Sequence, residues 1–263
     1  MENEINKILN IFKSGDFNNT IRKAKTLSRK NPKNSFLKNL IGSAYLQINN
    51  TNEAIKNFEL SIELSPKNVA PRNNLANAYK LKGEYKLAEK CYLKILGFAP
   101  NYINALVGYG NLKMILNETN DAIKLIKKAI LIKPDNYVAH FNLATAYQTI
   151  GKYVEALNHA KLTIKYNSTF TPADKLISSL KKYDKNDLHF ISMKEKLSDE
   201  KVSPLYKAYL HFGLAKVYED LEDFDKFIQH IKNGNEIRKK VFSYDVITNI
   251  NLINKIKLIF KDI

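Results

Sequence analysis

Four prolines at a constant spacing of 34 residues constrain this chain more than any other feature. They are Pro32, Pro66, Pro100 and Pro134. Most of them follow an apolar run, and proline cannot continue a helix, so each one predicts the end of a structural unit. A period of this length predicts a row of helix pairs in which each unit packs on its neighbours.

Several other positions recur with the same period. Small residues precede the prolines, and Gly or Asn begins the turn inside each unit. The small residues are Ala54, Ala88, Ala122 and Ala156, and the turn residues are Asn49, Gly83, Asn117 and Gly151. The pattern resembles the tetratricopeptide repeat family from about residue 1 to about residue 168. That resemblance implies an all-α, right-handed superhelical solenoid of helix hairpins, with about five N-terminal repeats, a break, one further repeat and a C-terminal helix.

Two residues depart from the repeat pattern. Lys113 takes the place of the aromatic residue found as Tyr45, Tyr79 and Tyr147 in the other units. Ala160 likewise replaces an aromatic residue of the second helix. We therefore expect the third and fourth units to be less regular than the others.

The period breaks after residue 168, and this suggests three parts. We predict a repeat array over 1–168, an irregular helical insertion over 169–203, and a displaced repeat-like unit with an apolar C-terminal helix over 204–263. The helix predicted at 245–262 carries apolar residues over a broad face, including Val246, Ile250 and Phe260. Such a helix either caps the solenoid or meets a partner domain or a second copy.

The net charge of +16 raises the question of nucleic-acid binding. Only four of the 42 basic residues are arginine, however, and arginine is preferred for bidentate recognition of phosphates and bases. The lysines are spread along the predicted helices rather than clustered. The sequence therefore favours a cationic, solvated surface over a nucleic-acid site.

The chain shows no pattern of a membrane protein or of a catalytic or metal site. It has no apolar run of about 18 residues, and the apolar positions near the N-terminus, from Ile5 to Phe12, follow helical spacing. Cys91 is the single cysteine, and none of the five histidines has metal-ligand spacing. We therefore expect a cytoplasmic, non-catalytic protein without a cofactor or a bound metal.

In the repeat family the first helix of each pair lines a concave groove. The resemblance implies that a peptide or protein partner would meet a largely uncharged surface there. Its predicted residues are Asn39, Ser43, Asn73, Asn74, Asn77, Lys80, Asn104, Asn111, Phe141, Asn142, Thr145 and Gln148. Asparagine offers a donor and an acceptor to a peptide backbone. Asparagine is also abundant throughout the chain, so it could simply fill exposed positions. We expect Asn73→Ala with Asn77→Ala to weaken partner capture and leave stability unchanged.

A second resemblance covers residues 204–262. The segments 210–225 and 233–240 look like the linker of bacterial proteins that fuse a tetratricopeptide array to a sulfotransferase domain. The sequence has no phosphate-binding loop of that domain, so no catalytic residue is implied. Two hypotheses follow: a scaffold that binds a peptide or partner protein, or the substrate-recognition arm of a protein sulfotransferase whose catalytic domain is missing or lies on another chain.

Overall fold

The computed structural model describes residues 1–242, which form fourteen α-helices and no strands. This composition confirms the predicted all-α class. The helices are α1 (Glu2–Lys13), α2 (Phe17–Lys30), α3 (Ser35–Gln47), α4 (Thr51–Leu64), α5 (Val69–Leu81), α6 (Tyr85–Phe98), α7 (Ile103–Ile115), α8 (Thr119–Ile132), α9 (Tyr137–Thr149), α10 (Tyr153–Tyr166), α11 (Pro172–Leu180), α12 (Leu188–Ser198), α13 (Pro204–Asp220) and α14 (Phe224–Val241).

The chain divides into two compact units, Met1–Ile150 and Gly151–Ile263. The first contains α1 to α9, and the described part of the second contains α10 to α14. The part boundaries proposed from the sequence at residues 168 and 203 remain predictions. The apolar helix predicted at 245–262 lies outside the described residues.

The turns inside the helix pairs need a left-handed backbone conformation. Glycine adopts it at Gly15, Gly83 and Gly151, and asparagine adopts it at Asn49 and Asn117, with φ between 59° and 84°. These are the residue types for which positive φ is least costly. The alternation of Gly and Asn in the repeat pattern therefore has a backbone cause.

Helix caps account for part of the abundance of asparagine. The side chains of Asn34, Asn50 and Asn136 each accept a backbone N–H three residues later, at 3.0–3.2 Å. Asn68 accepts one from Ala70 at 3.1 Å. Because a cap uses the side-chain oxygen, these asparagines have structural roles at helix starts.

Tyrosine hydroxyl groups join neighbouring helix pairs of the first unit. The Tyr79 hydroxyl donates to Glu59 at 3.0 Å, and the Lys25 ammonium donates to the Tyr45 hydroxyl at 2.6 Å. Each partner stands twenty residues before its tyrosine, on the second helix of the preceding pair.

The fourth helix pair, α7 with α8, makes the same joint to the preceding pair with different residues. The Tyr109 hydroxyl donates to Glu89 at 2.8 Å, and Lys113 forms ion pairs with Glu89 at 2.8 Å and Glu118 at 2.6 Å. The hydrogen bonds to Glu118 and Glu89 raise the pKa of Lys113, and the bond from Lys113 lowers the pKa of Glu89. Lys113, which departs from the repeat pattern, is therefore still a partner in the joint. The hydroxyl group comes instead from Tyr109, one helical turn earlier on α7.

Close helix contacts within a pair depend on small residues of the first helix. A Cβ atom at Gly42 would lie 2.6 Å from the ring of Phe58, which is fully buried, and 3.1 Å from the carbonyl oxygen of Ala54. A Cβ atom at Gly110 would lie 2.6 Å from Ile126. Both contacts are too short for carbon atoms, so these positions require glycine unless the partner moves.

We expect Gly42→Ala to destabilise the protein by about 1–3 kcal/mol, because the added methyl group overpacks a filled core. Gly97 is the matched control, since it also lies in a helix but has open space around its would-be Cβ atom. Gly97→Ala should stabilise by about 0.5–1 kcal/mol through helix propensity alone. Urea unfolding followed by circular dichroism measures both, and equal gains in stability would contradict the packing argument.

A buried polar cluster fixes the helices of the second unit. The Asp174 carboxylate on α11 is fully buried and accepts hydrogen bonds from Lys196 Nζ at 2.8 Å and from His189 Nε2 at 3.0 Å, both on α12. His189 Nδ1 lies 2.6 Å from the Tyr183 hydroxyl. Burial raises the pKa of Tyr183, so this phenol keeps its proton as the hydrogen-bond donor. The cluster therefore joins α11, α12 and the segment between them.

Candidate functional site

Three first helices of the first unit, α5, α7 and α9, border a cavity of about 440 Å³, which we call the asparagine pocket. Its lining residues are Asn73, Asn77, Lys80, Asn104, Val107, Gly108, Asn111, Asn136, Val138 and Asn142. Six of these were predicted site residues: Asn73, Asn77, Lys80, Asn104, Asn111 and Asn142. The pocket therefore brings together half of the predicted set.

The other six predicted residues do not line the pocket. Asn74 and Asn39 bond to each other, with Asn74 Nδ2 donating to Asn39 Oδ1 at 3.0 Å between α5 and α3. The Thr145 hydroxyl donates to the carbonyl oxygen of Phe141 in its own helix. Ser43 and Gln148 are half-buried on α3 and α9. These residues share the first helices with the pocket residues but lie outside the cavity.

Asn73 has the most unusual environment in the pocket. Only 7% of its surface is exposed, and its Oδ1 atom has no hydrogen-bond partner among residues 1–242. An unpaired buried acceptor costs about 1–3 kcal/mol relative to a paired one. Asn73 lines the pocket, so a turn of its side chain toward the cavity would present this desolvated acceptor to an incoming donor.

Asn77 is held in place from the second helix of its own pair. Tyr92 is fully buried on α6, and its hydroxyl donates to Asn77 Oδ1 at 2.7 Å. Gly108 makes this reach possible, because a Cβ atom there would lie 2.7 Å from the Tyr92 hydroxyl oxygen. The bond uses the Asn77 oxygen and leaves its amide group available as a donor.

Lys80 is the one charged residue of the pocket lining. Its ammonium donates to Asn111 Oδ1 at 3.1 Å, and burial lowers its pKa. No acidic residue lines the cavity, so the ammonium meets amide oxygen rather than a carboxylate there. The pocket thus favours a ligand that brings a carbonyl or carboxylate oxygen to Lys80.

Sequence reasoning missed Tyr92 and Gly108. Tyr92 carries a hydroxyl where the second helix of the preceding repeat has Phe58. Gly108 stands in phase with Asn74 and Asn142 and interrupts that series. The signals in the sequence were the hydroxyl group of Tyr92 on one helix and the absence of a side chain at Gly108 on the next helix.

The described part of the chain gives no sign of a metal centre. Within residues 1–242, no three His, Cys, Asp or Glu side chains come close enough to hold a metal ion. In the same range, no helix combines the length and the apolar character needed to cross a bilayer. The expectations of a non-catalytic and cytoplasmic protein remain predictions.

Comparison with known proteins identifies the repeats. Models of the tetratricopeptide repeat match residues 42–83, 71–102, 103–136 and 125–158. Residues 42–158 are tetratricopeptide repeats. The asparagine pocket lies entirely within these repeats, since its lining runs from Asn73 to Asn142.

The curated relatives share the repeats over part of their length. The protein O-mannosyl-transferase TMTC3 of Homo sapiens is 32% identical over 126 residues, which are 46% of this chain and 14% of the relative. The chloroplastic tetratricopeptide repeat domain-containing protein PYG7 of Arabidopsis thaliana is 32% identical over 95 residues, which are 36% of this chain and 29% of the relative. The chain thus spans under a third of these proteins, so the likeness concerns the repeats.

Solved structures confirm the fold class, an all-α helical-repeat solenoid. A tetratricopeptide repeat protein from Parabacteroides merdae covers 96% of this chain at 19% identity, with a TM-score of 0.65. A chain of the APC/C hetero-tetramer Cut9–Hcn1 covers 92% at 15% identity, with a TM-score of 0.70. At these identities the likeness shows the fold alone. The family-model matches end at residue 158, so the sulfotransferase-linker resemblance of 204–262 remains a hypothesis.

Proposed function

We propose that this chain is a scaffold that binds an extended peptide segment of a partner protein in the asparagine pocket. The observation that carries the proposal is the buried and unpartnered Oδ1 of Asn73 in a cavity lined by amide groups. Tetratricopeptide repeats typically mediate protein–protein interaction. The amide groups of this pocket could form the hydrogen bonds of such an interaction.

The polar groups of the pocket match those of a peptide backbone. Asn73 Oδ1 accepts a backbone N–H, the Asn77 amide donates to a carbonyl oxygen, and Lys80 donates to a second carbonyl or to a carboxylate. Val107 and Val138 provide apolar contact for side chains. Since main-chain groups recur in every peptide, the amides give affinity and the valines give selectivity.

The abundance of asparagine in the chain does not explain the pocket. The asparagines at helix starts cap backbone N–H groups, whereas Asn73, Asn77, Asn111 and Asn142 stand inside α5, α7 and α9. Asparagine is a poor residue for a helix interior, because its side chain competes with the backbone for hydrogen bonds. Their concentration around one cavity supports a binding role.

The structure revises the expectation for the Asn73 and Asn77 pair. Asn77→Ala would leave the buried Tyr92 hydroxyl without its acceptor, so a loss of stability of about 1–2 kcal/mol is expected from that change alone. Asn73→Leu is the better probe, because leucine has a similar shape and removes an acceptor that has no partner. Its effect on binding is therefore separable from its effect on folding.

We expect Asn73→Leu to weaken peptide binding about 5- to 10-fold, and Asn73→Leu with Lys80→Met about 30-fold or more. The unfolding free energy of Asn73→Leu should stay the same or rise, because the unpaired acceptor is gone. The probe is a fluorescent peptide of roughly ten residues, about 33 Å when extended, selected from a random library on the immobilised chain. Fluorescence anisotropy gives Kd.

The matched control is Asn120→Ala with Lys128→Met, two exposed residues of the same types on the second helix α8. The control should leave Kd unchanged. A benzophenone crosslinker placed at Asn104 should capture the bound peptide, and one at Lys90 on α6 should not. If the control weakens binding as much as the pocket variants do, or if capture occurs at Lys90, the site lies elsewhere.

A further inference from the structure

Two histidines face each other where α13 packs on α14 in the second unit. His211 Nδ1 and His230 Nδ1 lie 2.9 Å apart, and the ring centroids are separated by 5.0 Å. His211 is buried and His230 is half-buried beneath a stacked contact with Tyr218, whose ring centroid is 5.2 Å away. The two rings form a direct hydrogen bond across the helix pair.

A bond between two nitrogens requires a single shared proton. One imidazole must donate its Nδ1–H, and the other must present an unprotonated Nδ1. A first extra proton leaves this arrangement intact. When both rings are imidazolium, both Nδ1 atoms carry hydrogen, so an attractive bond becomes a contact between two donors of like charge.

The surroundings do not offset a second positive charge. Lys207 on α13 lowers the pKa of His211 through its charge, and Lys226 on α14 lies over the Tyr218 ring that stacks on His230. On the two other helices of this region, Lys175 of α11 lies over the Phe212 ring and Lys194 of α12 lies over the Phe190 ring. Glu219 and Asp220 on α13 pair with Lys216, and Asp223 before α14 pairs with Lys226, although Asp220 Oδ2 is buried without a hydrogen-bond partner in the described chain. Within the described chain, neither imidazole forms an ion pair with a carboxylate.

The two helices pack closely beside the histidine pair. Gly234 on α14 faces α13, and a Cβ atom there would lie 2.9 Å from the Phe212 ring and 3.3 Å from His211 Cβ. Repulsion between two charged rings would therefore act directly across the contact between α13 and α14.

We infer that the His211–His230 pair is an acid-sensitive joint that holds α14 on α13 at neutral pH and releases it in mildly acidic solution. Burial lowers the pKa of His211, and burial together with His211 lowers the pKa of His230 to about 4. Both shifts favour the neutral ring in the folded state. The contribution to stability is therefore complete above the ordinary imidazole pKa of about 6.5 and is lost as the pH falls from there toward 4.

Hydrogen–deuterium exchange of the full chain tests this joint. Between about pH 7.5 and about pH 5, amide protection in α13 and α14, corrected for intrinsic exchange, should fall roughly 30-fold, as expected for a pKa lowered from 6.5 to about 4. Protection in α3 and α4 should change less than about 3-fold. An equal loss in both helix pairs would overturn the inference.

The variant His211→Asn with His230→Asn keeps a neutral hydrogen bond and removes titration. It should abolish most of the acid-dependent loss, whereas the control His159→Asn should retain it. A double variant that keeps the full loss overturns the inference. If the double variant does not fold, ¹⁵N resonances of the wild-type imidazoles decide: two rings that titrate near pH 6.5 contradict the joint, and depressed titration with opposite tautomers supports it.

Discussion

Replacing Asp174 by alanine is expected to destabilise the second unit by about 3–5 kcal/mol. The substitution removes the acceptor for both Lys196 and His189, and it leaves the Lys196 ammonium, whose side chain is 13% exposed, without a counter-charge. Removing one partner of a buried pair costs more than the pair contributes, because the remaining charge stays desolvated. Urea unfolding followed by circular dichroism measures the loss, and hydrogen exchange localises it to α11 and α12.

The chain offers a matched control for this substitution. Asp121 and Lys124 form an ion pair with the same 2.8 Å separation, but their side chains are 54% and 78% exposed. Asp121→Ala should produce no measurable change, because water replaces the lost partner. Asp174→Leu with Lys196→Met removes both charges and should recover more than half of the loss. Equal effects of Asp174→Ala and Asp121→Ala would show that burial does not matter here.

Tyr92→Ala is expected to destabilise the first unit by about 3–5 kcal/mol. The ring is fully buried and stacks on Tyr109 with centroids 5.8 Å apart, so its removal leaves a large cavity as well as an unpaired Asn77. Tyr85→Ala on the same helix is the control, since Tyr85 is 36% exposed, and it should cost under about 1 kcal/mol. A comparable loss from both variants would contradict the packing assignment.

Tyr92→Phe separates the two roles of this residue. It keeps the ring and removes only the hydroxyl that orients Asn77, so we expect a stability loss of about 1–2 kcal/mol. The Asn77 amide is then free to rotate, and peptide affinity should fall about 3- to 5-fold although Tyr92 itself does not line the pocket. Unchanged affinity would show that Asn77 needs no support from α6.

Helix ends and turns of the repeats could be predicted from the sequence because their causes are local. Pro66 and Pro100 stop their helices whatever surrounds them, and Gly83 and Asn117 adopt positive φ at the predicted turns. Which residues face the pocket could be predicted in part, because one helix face repeats every 34 residues. The six residues that reach the cavity stand at the groove positions that the family resemblance implies for each unit.

The rest depends on contacts between distant parts of the chain. Asn74 was predicted to meet a ligand, but Asn39 of the preceding repeat already accepts its hydrogen bond. The bond between Tyr92 and Asn77 requires the absent side chain of Gly108, sixteen residues later. Neither hydrogen bond follows from the periodicity of the sequence. Periodicity assigns each residue to a face of its helix, but it does not show which neighbouring side chain will be its hydrogen-bond partner.

The second unit was the hardest part to predict. Pro172 and Pro204 stand at the first residue of α11 and α13, where proline suits the first turn of a helix. Asp174 gave no signal of burial, because its partners Lys196 and His189 arrive from another helix after an irregular segment. A charged residue in the first helical turn is usually solvent-exposed, and here tertiary contacts override that rule.

At each helix contact, the size of the residue on the first helix matches the size of the residue on the second helix. Repeats of equal length are therefore not exchangeable. Gly42 fits against Phe58, whereas the corresponding first helix of the next repeat carries Ala76. Unequal recombination between these two repeats would keep the reading frame and the 34-residue period. When the crossover falls between the two helices, the product that gains a repeat would set an alanine methyl against the Phe58 ring, at the 2.6 Å separation that Gly42 avoids. Gene copies that gain or lose a repeat should therefore survive only when both partners of a contact are inherited together.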